Sequence, residues 1–306
     1  MPTCGLIGTI TADTIKYDDG RSFGSVGGIL YQAAALCGGG TATALFSNCG
    51  DDLRPEVEKI IGKWSGLDRR GLTFLPGPGN RVRLRYSELA REREEILESV
   101  VPALDPRPIL AGLPGLDFLF LVFNSGFDIA LPDWRSIADR AACPIWIDIH
   151  SLALAARVGG PRDYRALPDW PEWVRGAAYL QANRQEVACL MGHPERWADE
   201  SEIRALAFRS FGLGLQAAFI TLGKDGVLVA TPEEIRRVPA PVPAAVVDTT
   251  GCGDVFAAAT ARALLDGISP VRAAERGVAL ATRAVGISGL QATYDLAFRV
   301  RMKAAE

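Results

Sequence analysis

Apolar residues gather along this chain in short continuous runs: Gly5–Ile10, Thr43–Ser47, Phe118–Phe123, Pro144–Ile149, Tyr179–Ala182, Ala217–Leu222 and Gly226–Ala230. Runs of that length without polar alternation mark strands buried on both faces. Segments of helical length and period lie between them, among them Trp134–Ala142, Arg184–Met191, Glu202–Phe211 and Val255–Asp266. The alternation predicts an α/β fold, a doubly wound and mostly parallel sheet with helices on both sides.

Two stretches break the pattern. Thr14–Gly27 is polar and glycine-rich. Thr73–Val101 contains RVRLRY, which alternates as a half-exposed strand would, followed by ELAREREEILESVV. The latter reads either as a helix with a stripe through Leu89, Ile96, Leu97, Val100 and Val101 or as the return strand of a hairpin. We expect one domain over residues 1–306, with a small β-rich lid formed by the excursions 14–27 and 73–101.

The 306 residues are 48% hydrophobic, enough for a sizeable core. A net charge of -3 carries no basic excess, so no nucleic-acid partner is expected. No apolar run approaches bilayer length, which argues against a membrane partner. The opening MPTCGLIGTI lacks the basic start and apolar stretch of a signal peptide, so a cytoplasmic location is expected. Cys4, Cys37, Cys49, Cys143, Cys189 and Cys252 form no CxxC pair, and the two histidines are His150 and His193. Neither a zinc site nor a disulfide framework is expected.

The most informative stretch is AAVVDTTGCGDVFAAA, Ala244–Ala259. A strand-like run ends in Asp248-Thr249-Thr250, a Gly-Cys-Gly turn follows, and an apolar helix begins at about Asp254. A helix start offers unpaired N–H groups and a positive dipole end. Gly251 and Gly253 let an anion approach that backbone. Asp254 beside it reads either as a base for an attacking hydroxyl or as a helix N-cap. Cys252 at such a position is expected to be the most reactive thiol.

DTTGCGDVFAAA resembles the signature of the ribokinase-like (PfkB) family of carbohydrate and nucleoside kinases, DTxGAGD, departing only at Cys252. By that resemblance Asp254 is the catalytic base, and Gly251, Cys252 and Gly253 form the anion hole. GLIGTITAD resembles the family's opening strand and its substrate-binding Asp, here Asp13. Gly27 and Gly28 are similar to its sugar-approach glycine pair, and CGDDL to its GDD turn. The usual Asn is replaced within GGILYQ, where Tyr31 or Gln32 stands. Asn124 falls where a substrate-contacting polar residue is common. NRQE resembles NxxE, putting Asn183 at the nucleotide and Glu186 at magnesium. Thr221, Gly223 and Gly226 resemble the TxGxxG nucleotide turn, with Thr249 beside it. Asp148 matches an Asp at a strand end, and His150 follows it.

The resemblance implies transfer of phosphate from ATP, with Mg2+ and with a monovalent cation near Asp248, to a hydroxyl of a small sugar or sugar-like molecule. A nucleoside acceptor and a non-catalytic sugar- or nucleotide-binding regulator are the alternatives. A homodimer is compatible with this reading. No GxxxxGK[ST] or GxGxxG motif competes with it.

Overall fold

A computed structural model describes residues 2–17, 22–87 and 92–304. The first part of the chain runs β1 (Thr3–Ile7), β2 (Ile10–Tyr17), β3 (Ser22–Gly28), α1 (Leu30–Gly38), β4 (Ala42–Gly50), α2 (Arg54–Ile61), β5 (Leu67–Leu75), β6 (Asn80–Ser87) and β7 (Glu92–Ser99). The middle adds α3 (Pro106–Gly112), β8 (Phe118–Val122), α4 (Leu131–Ala138), β9 (Ile145–Asp148), α5 (Trp170–Val174), β10 (Tyr179–Asn183), α6 (Arg184–Met191) and α7 (Glu200–Phe211). The last part is β11 (Ala217–Thr221), β12 (Val227–Ala230), β13 (Ile235–Val238), α8 (Cys252–Leu265), α9 (Pro270–Ala284) and α10 (Leu290–Ala304).

Nine strands form one sheet in the order β13-β12-β11-β10-β9-β8-β1-β4-β5. Those from β5 to β11 are parallel, β12 turns back antiparallel to β11, and β13 pairs antiparallel with β12. Side chains of the central strands alternate between two cores, as a two-residue period requires. Phe118, Phe120, Trp146 and Phe219 pack under α1, α8, α9 and α10. Leu119, Leu121, Ile145, Ile147, Ala218 and Ile220 pack under α4 to α7. Full burial of each large side chain is worth about 1.5–3 kcal/mol, which is why these strands carry almost no polar residue.

A second sheet, β3-β2-β6-β7, stands over the carboxyl ends of the parallel strands. The hairpin reading of ELAREREEILESVV is the one realised: Glu92–Ser99 pairs antiparallel with β6, while residues 88–91 of that stretch lie outside the described residues. Its strands cover 10–17, 22–28, 80–87 and 92–99. The stretch expected over Thr73–Val101 therefore begins inside β5, whose pairing with β4 makes it the main sheet's edge. The run Gly5–Ile10 is likewise split, with Gly8 and Thr9 carrying the chain from one sheet to the other.

A polar clasp fixes this junction. The fully buried Asp128 carboxylate accepts from the Thr9 N–H and hydroxyl and from the N–H groups of Ser125 and Gly126. Asn80 donates to the Thr9 hydroxyl at 2.7 Å and accepts from the Val101 N–H at 2.7 Å. Asp52, in the GDD turn, accepts from the Gly79 N–H at 2.8 Å and pairs with Arg81.

The run Ala244–Val247 forms no strand. Val246 and Val247 are 70% and 60% exposed in an extended loop. Pro239, Pro241 and Pro243 just before it lack the N–H groups a further ladder would need.

Candidate active site

The glycine turn opens helix α8 at Cys252, two residues earlier than expected. Gly251 caps it at φ 74, a left-handed conformation that glycine adopts without strain. A Cβ there would also collide with the Tyr31 ring. Asp254 is thus the third residue of the helix and not its N-cap. By position, the first-turn amides of α8 have no intrahelical acceptor. Asp248 holds the approach to the turn, accepting from the Thr250 N–H at 2.9 Å and from the Ser288 hydroxyl at 2.7 Å. Burial raises the Asp254 carboxyl to about 6, with His150 working against the shift.

Asp254 lines a polar cavity of about 290 Å³ at the carboxyl ends of the parallel strands. Asn124, after β8, lines it as well, while its side-chain oxygen is buried beside Gly8. Asp148 ends β9; burial and then the neighbouring Glu186 carboxylate push its carboxyl well above the usual range. Gln181 of β10 bridges these elements, donating to Asp148 at 3.0 Å and to the Gly253 carbonyl at 3.3 Å. His150 sits at φ 28, the one non-glycine residue with positive φ among those described. Crowding works against its charged form. The Glu186 carboxylate beside it, with Asp148 and Glu95, nevertheless raises it to about 9.

Asn183 and Glu186 form a capping box at the start of α6, with the Asn183 N–H on Glu186 at 2.7 Å. Both face the cavity. Capping and a site position therefore coexist in the same pair.

The second sheet supplies the roof. Thr11 and Asp13 of β2, Val82 and Leu84 of β6 and Glu95 of β7 all line the cavity. Asp13 thus lies within a roof strand and does not end a main-sheet strand. Gly28, at φ 64, and Tyr31 also line it. Gly27 does not line it; it backs Tyr31, where a Cβ would stand 3.0 Å from the ring. Tyr31 is only 4% exposed and belongs to the core, while Gln32 is buried away from the cavity. Glu95 pairs with the buried Arg162 at 3.1 Å, and Arg162 also donates to the Ser125 carbonyl at 2.8 Å.

A second cavity of about 620 Å³ adjoins the first. It is apolar, walled by Val242, Val246, Phe256, Val278, Ala281 and Val285, with Gly223 and Gly226 at its rim. Thr221, Thr249 and Gly253 line both cavities. Gly226, at φ 94, makes the turn that brings β12 back along β11; a Cβ there would strike the Val238 carbonyl. The Cys252 side chain faces this second cavity, and burial, then Asp248 and Asp254, push its thiol up to about 11. Burial, with two carboxylates behind it, thus works against the thiolate that the helix start was expected to favour.

Among the described residues no group of three or more His, Cys, Asp or Glu is arranged to hold a metal ion directly. Glu186 spends two acceptor positions on Asn183 and retains others. That suits Mg2+, which keeps several waters and binds through one or two carboxylates plus phosphates. No helix of the described residues is long and apolar enough to cross a membrane.

The nine-stranded sheet, its helices and the second sheet over the carboxyl ends make an α/β protein of ribokinase-like fold. Residues 154–296 match the sequence model of the pfkB family carbohydrate kinases. Over 146 residues the chain is 30% identical to the bifunctional ribokinase/ribose-5-phosphate isomerase A of Fructilactobacillus sanfranciscensis, a match covering 45% of this chain and 26% of that relative. The fold is similar to that of Arabidopsis thaliana ribokinase complexed with ribose and ATP (TM-score 0.75, 18% identity, 98% of each chain). It is similar also to a pyrophosphate-dependent kinase in the ribokinase family (TM-score 0.79, 16% identity, 96% of this chain and 99% of that one). The resemblance to the ribokinase-like (PfkB) family is borne out, in sequence over 154–296 and in fold over the whole chain.

Glu95, Gln181, Ser151 and Thr11 were not anticipated as cavity residues. Gln181 carried a signal, a polar residue inside the buried strand YLQAN. Glu95 carried none, because its place depends on how the second sheet folds over the first.

Proposed function

We propose that this protein is an ATP-dependent kinase that phosphorylates a hydroxyl of a small sugar or sugar-like molecule, with Asp254 as the base. The observation that carries the reading is the meeting of two unlike cavities at Thr249, Gly253 and Thr221, beside Asp254. The polar one suits a polyol. The apolar one suits the base and ribose of a nucleotide, which favours ATP over a bare inorganic donor. Exposed Val242 and Val246 at its wall are the kind of apolar surface that a ligand covers.

In this reading Asp13 and Asn124 hold the acceptor's hydroxyls under the roof of the second sheet, which acts as a lid and excludes water. Asp254, ionised above about pH 6, takes the proton of the attacking hydroxyl. The first-turn amides of α8, opened by Gly251 and Gly253, bind the phosphoryl oxygens as charge shifts between them. Thr221, Gly223, Gly226 and Asn183 position the nucleotide. Mg2+, held through water by Glu186, would neutralise phosphate charge. A monovalent cation near Asp248 belongs to the same proposal.

The test is ATP-dependent phosphorylation across a sugar panel, read as ADP release and as mass gain of the acceptor. ATP binding with no acceptor turned over would instead support a regulatory protein of the same fold.

A further inference from the structure

We infer that Arg162 is a positioning residue for the acceptor: it ties the second sheet to the floor of the polar cavity and so sets the space between roof and floor. The inference rests on the reading above that this cavity holds the acceptor.

The roof sheet ends at β7, the last strand in its order. That edge is covered by the chain itself. Residues 155–165, in the loop that follows β9, run beside it, with Val158 opposite Leu97 and Pro161 opposite Ile96. The Gly159 N–H donates to the Leu97 carbonyl at 2.8 Å, and the Arg162 N–H donates to the Glu95 carbonyl at 2.9 Å. The foot of this strap closes on the main body. There the Ala155 N–H donates to the Asp163 carbonyl at 2.8 Å and the Arg165 N–H to the Ala153 carbonyl at 2.9 Å. The Arg165 guanidinium adds bonds to the Leu152 and Leu154 carbonyls, each at 3.1 Å. An open strand edge is a template for pairing, and here the main body supplies the partner. The roof thus has an attachment to the body besides its own chain connections.

The Arg162 side chain makes that strap a spacer. It is fully buried, at 0% exposure. One guanidinium nitrogen lies 3.1 Å from the Glu95 carboxylate, in the roof. Another donates to the Ser125 carbonyl at 2.8 Å and to the Ser151 carbonyl at 3.4 Å, in the loops after β8 and β9. Glu95, Ser151 and Asn124, the neighbour of Ser125, line the polar cavity, whereas Arg162 does not, so it acts through them. A guanidinium stays charged, and its rigid fork serves several partners at fixed spacing; a lysine ammonium is a point charge on a flexible stem. The apolar cavity takes its described walls from residues 221–285, with none from the roof or the strap. Loss of the fork therefore disturbs the acceptor's side of the site and spares the nucleotide's.

The test compares the full-length wild type with Arg162→Lys, using ATP, Mg2+ and three probes: D-ribose, D-glucose and myo-inositol. Sugar and ATP binding are read by calorimetry, turnover by ADP release, and folding by the melting temperature. We expect Arg162→Lys to lower kcat/KM for the probe used best by about 10–10²-fold, the scale of a misplacement of about 1 Å, and to leave ATP affinity within about twofold. An unchanged kcat/KM for the sugar overturns the inference, whatever the melting temperature does. So does an ATP affinity that falls as far as the sugar's kcat/KM, which is how an arginine that only holds the fold together would behave. Should Arg162→Lys not fold, Arg165→Lys, which loosens the foot of the strap, is judged by the same criteria. A wild type that turns over none of the probes removes the kinase reading for them. The inference is then decided by sugar binding, which Arg162→Lys must weaken while ATP binding holds; a wild type that binds none of the probes overturns it as well.

Discussion

Replacing Asp254 by asparagine removes the proposed base while keeping the size of the side chain. Burial lifts the carboxyl to about 6 from an ordinary value of 3.8, so at pH 8 the wild-type group is ionised and ready to accept a proton. General-base loss lowers turnover by about 10²–10⁴-fold, or about 2.7–5.4 kcal/mol of barrier. Two effects on stability oppose each other. A carboxylate in the first turn of a helix gains about 0.3–1 kcal/mol from the dipole. The raised folded-state pKa means that its charge burdens the fold above pH 6, and asparagine relieves this. The melting temperature should therefore move little, or rise. The wild-type kcat/KM should climb about tenfold per pH unit up to about 6 and then level; the residual activity of Asp254→Asn should lack that limb. The assay is ADP release between pH 5 and 9 on both proteins, with nucleotide binding and melting measured on the same samples. A variant that keeps more than about a tenth of wild-type turnover removes Asp254 from the base role, since it falls well short of the loss a general base implies.

Cys252, with its thiol pushed up to about 11, should be about one part in a thousand thiolate at pH 8; alkylation should be slower than for an exposed thiol, and rapid labelling would contradict this. Glu186→Gln keeps a capping side chain but loses a charge, so the Mg2+ concentration needed for half-maximal activity should rise several-fold while the melting temperature holds; an unchanged requirement would separate Glu186 from the metal. Arg162→Met should cost about 3–5 kcal/mol in urea unfolding, the scale of breaking a buried ion pair, because Glu95 and the Ser125 carbonyl lose their partner; a loss under about 1 kcal/mol would mean that water replaces it. Gly251→Ala should both destabilise, by about 1–2 kcal/mol for its left-handed backbone, and impair turnover, because its Cβ meets Tyr31; wild-type behaviour would deny the turn its rigidity.

The apolar runs alone determined the parallel sheet and its two cores, because a strand buried on both faces has no use for polar residues. Local chemistry likewise made the α6 start legible, since Asn183 and Glu186 satisfy each other within four residues. The glycine turn was legible as a helix start but misplaced: Gly251, not Asp254, is the cap. Whether ELAREREEILESVV would be helix or strand could not be read locally, because both periods fit, and pairing with β6 decided it. The strand-like run Ala244–Val247 misled for the opposite reason: its residues favour a strand, but no partner edge takes them. Only the tertiary structure brought Asp13 and Glu95 from the second sheet over Asn124, Asp148 and Asp254 at the ends of the first. Only it showed that Tyr31 fills a wall and that burial, with Asp248 and Asp254 nearby, raises the Cys252 thiol. Charge and burial depend on neighbours distant in sequence, so which carboxylates share the cavity could be read only once the chain was folded.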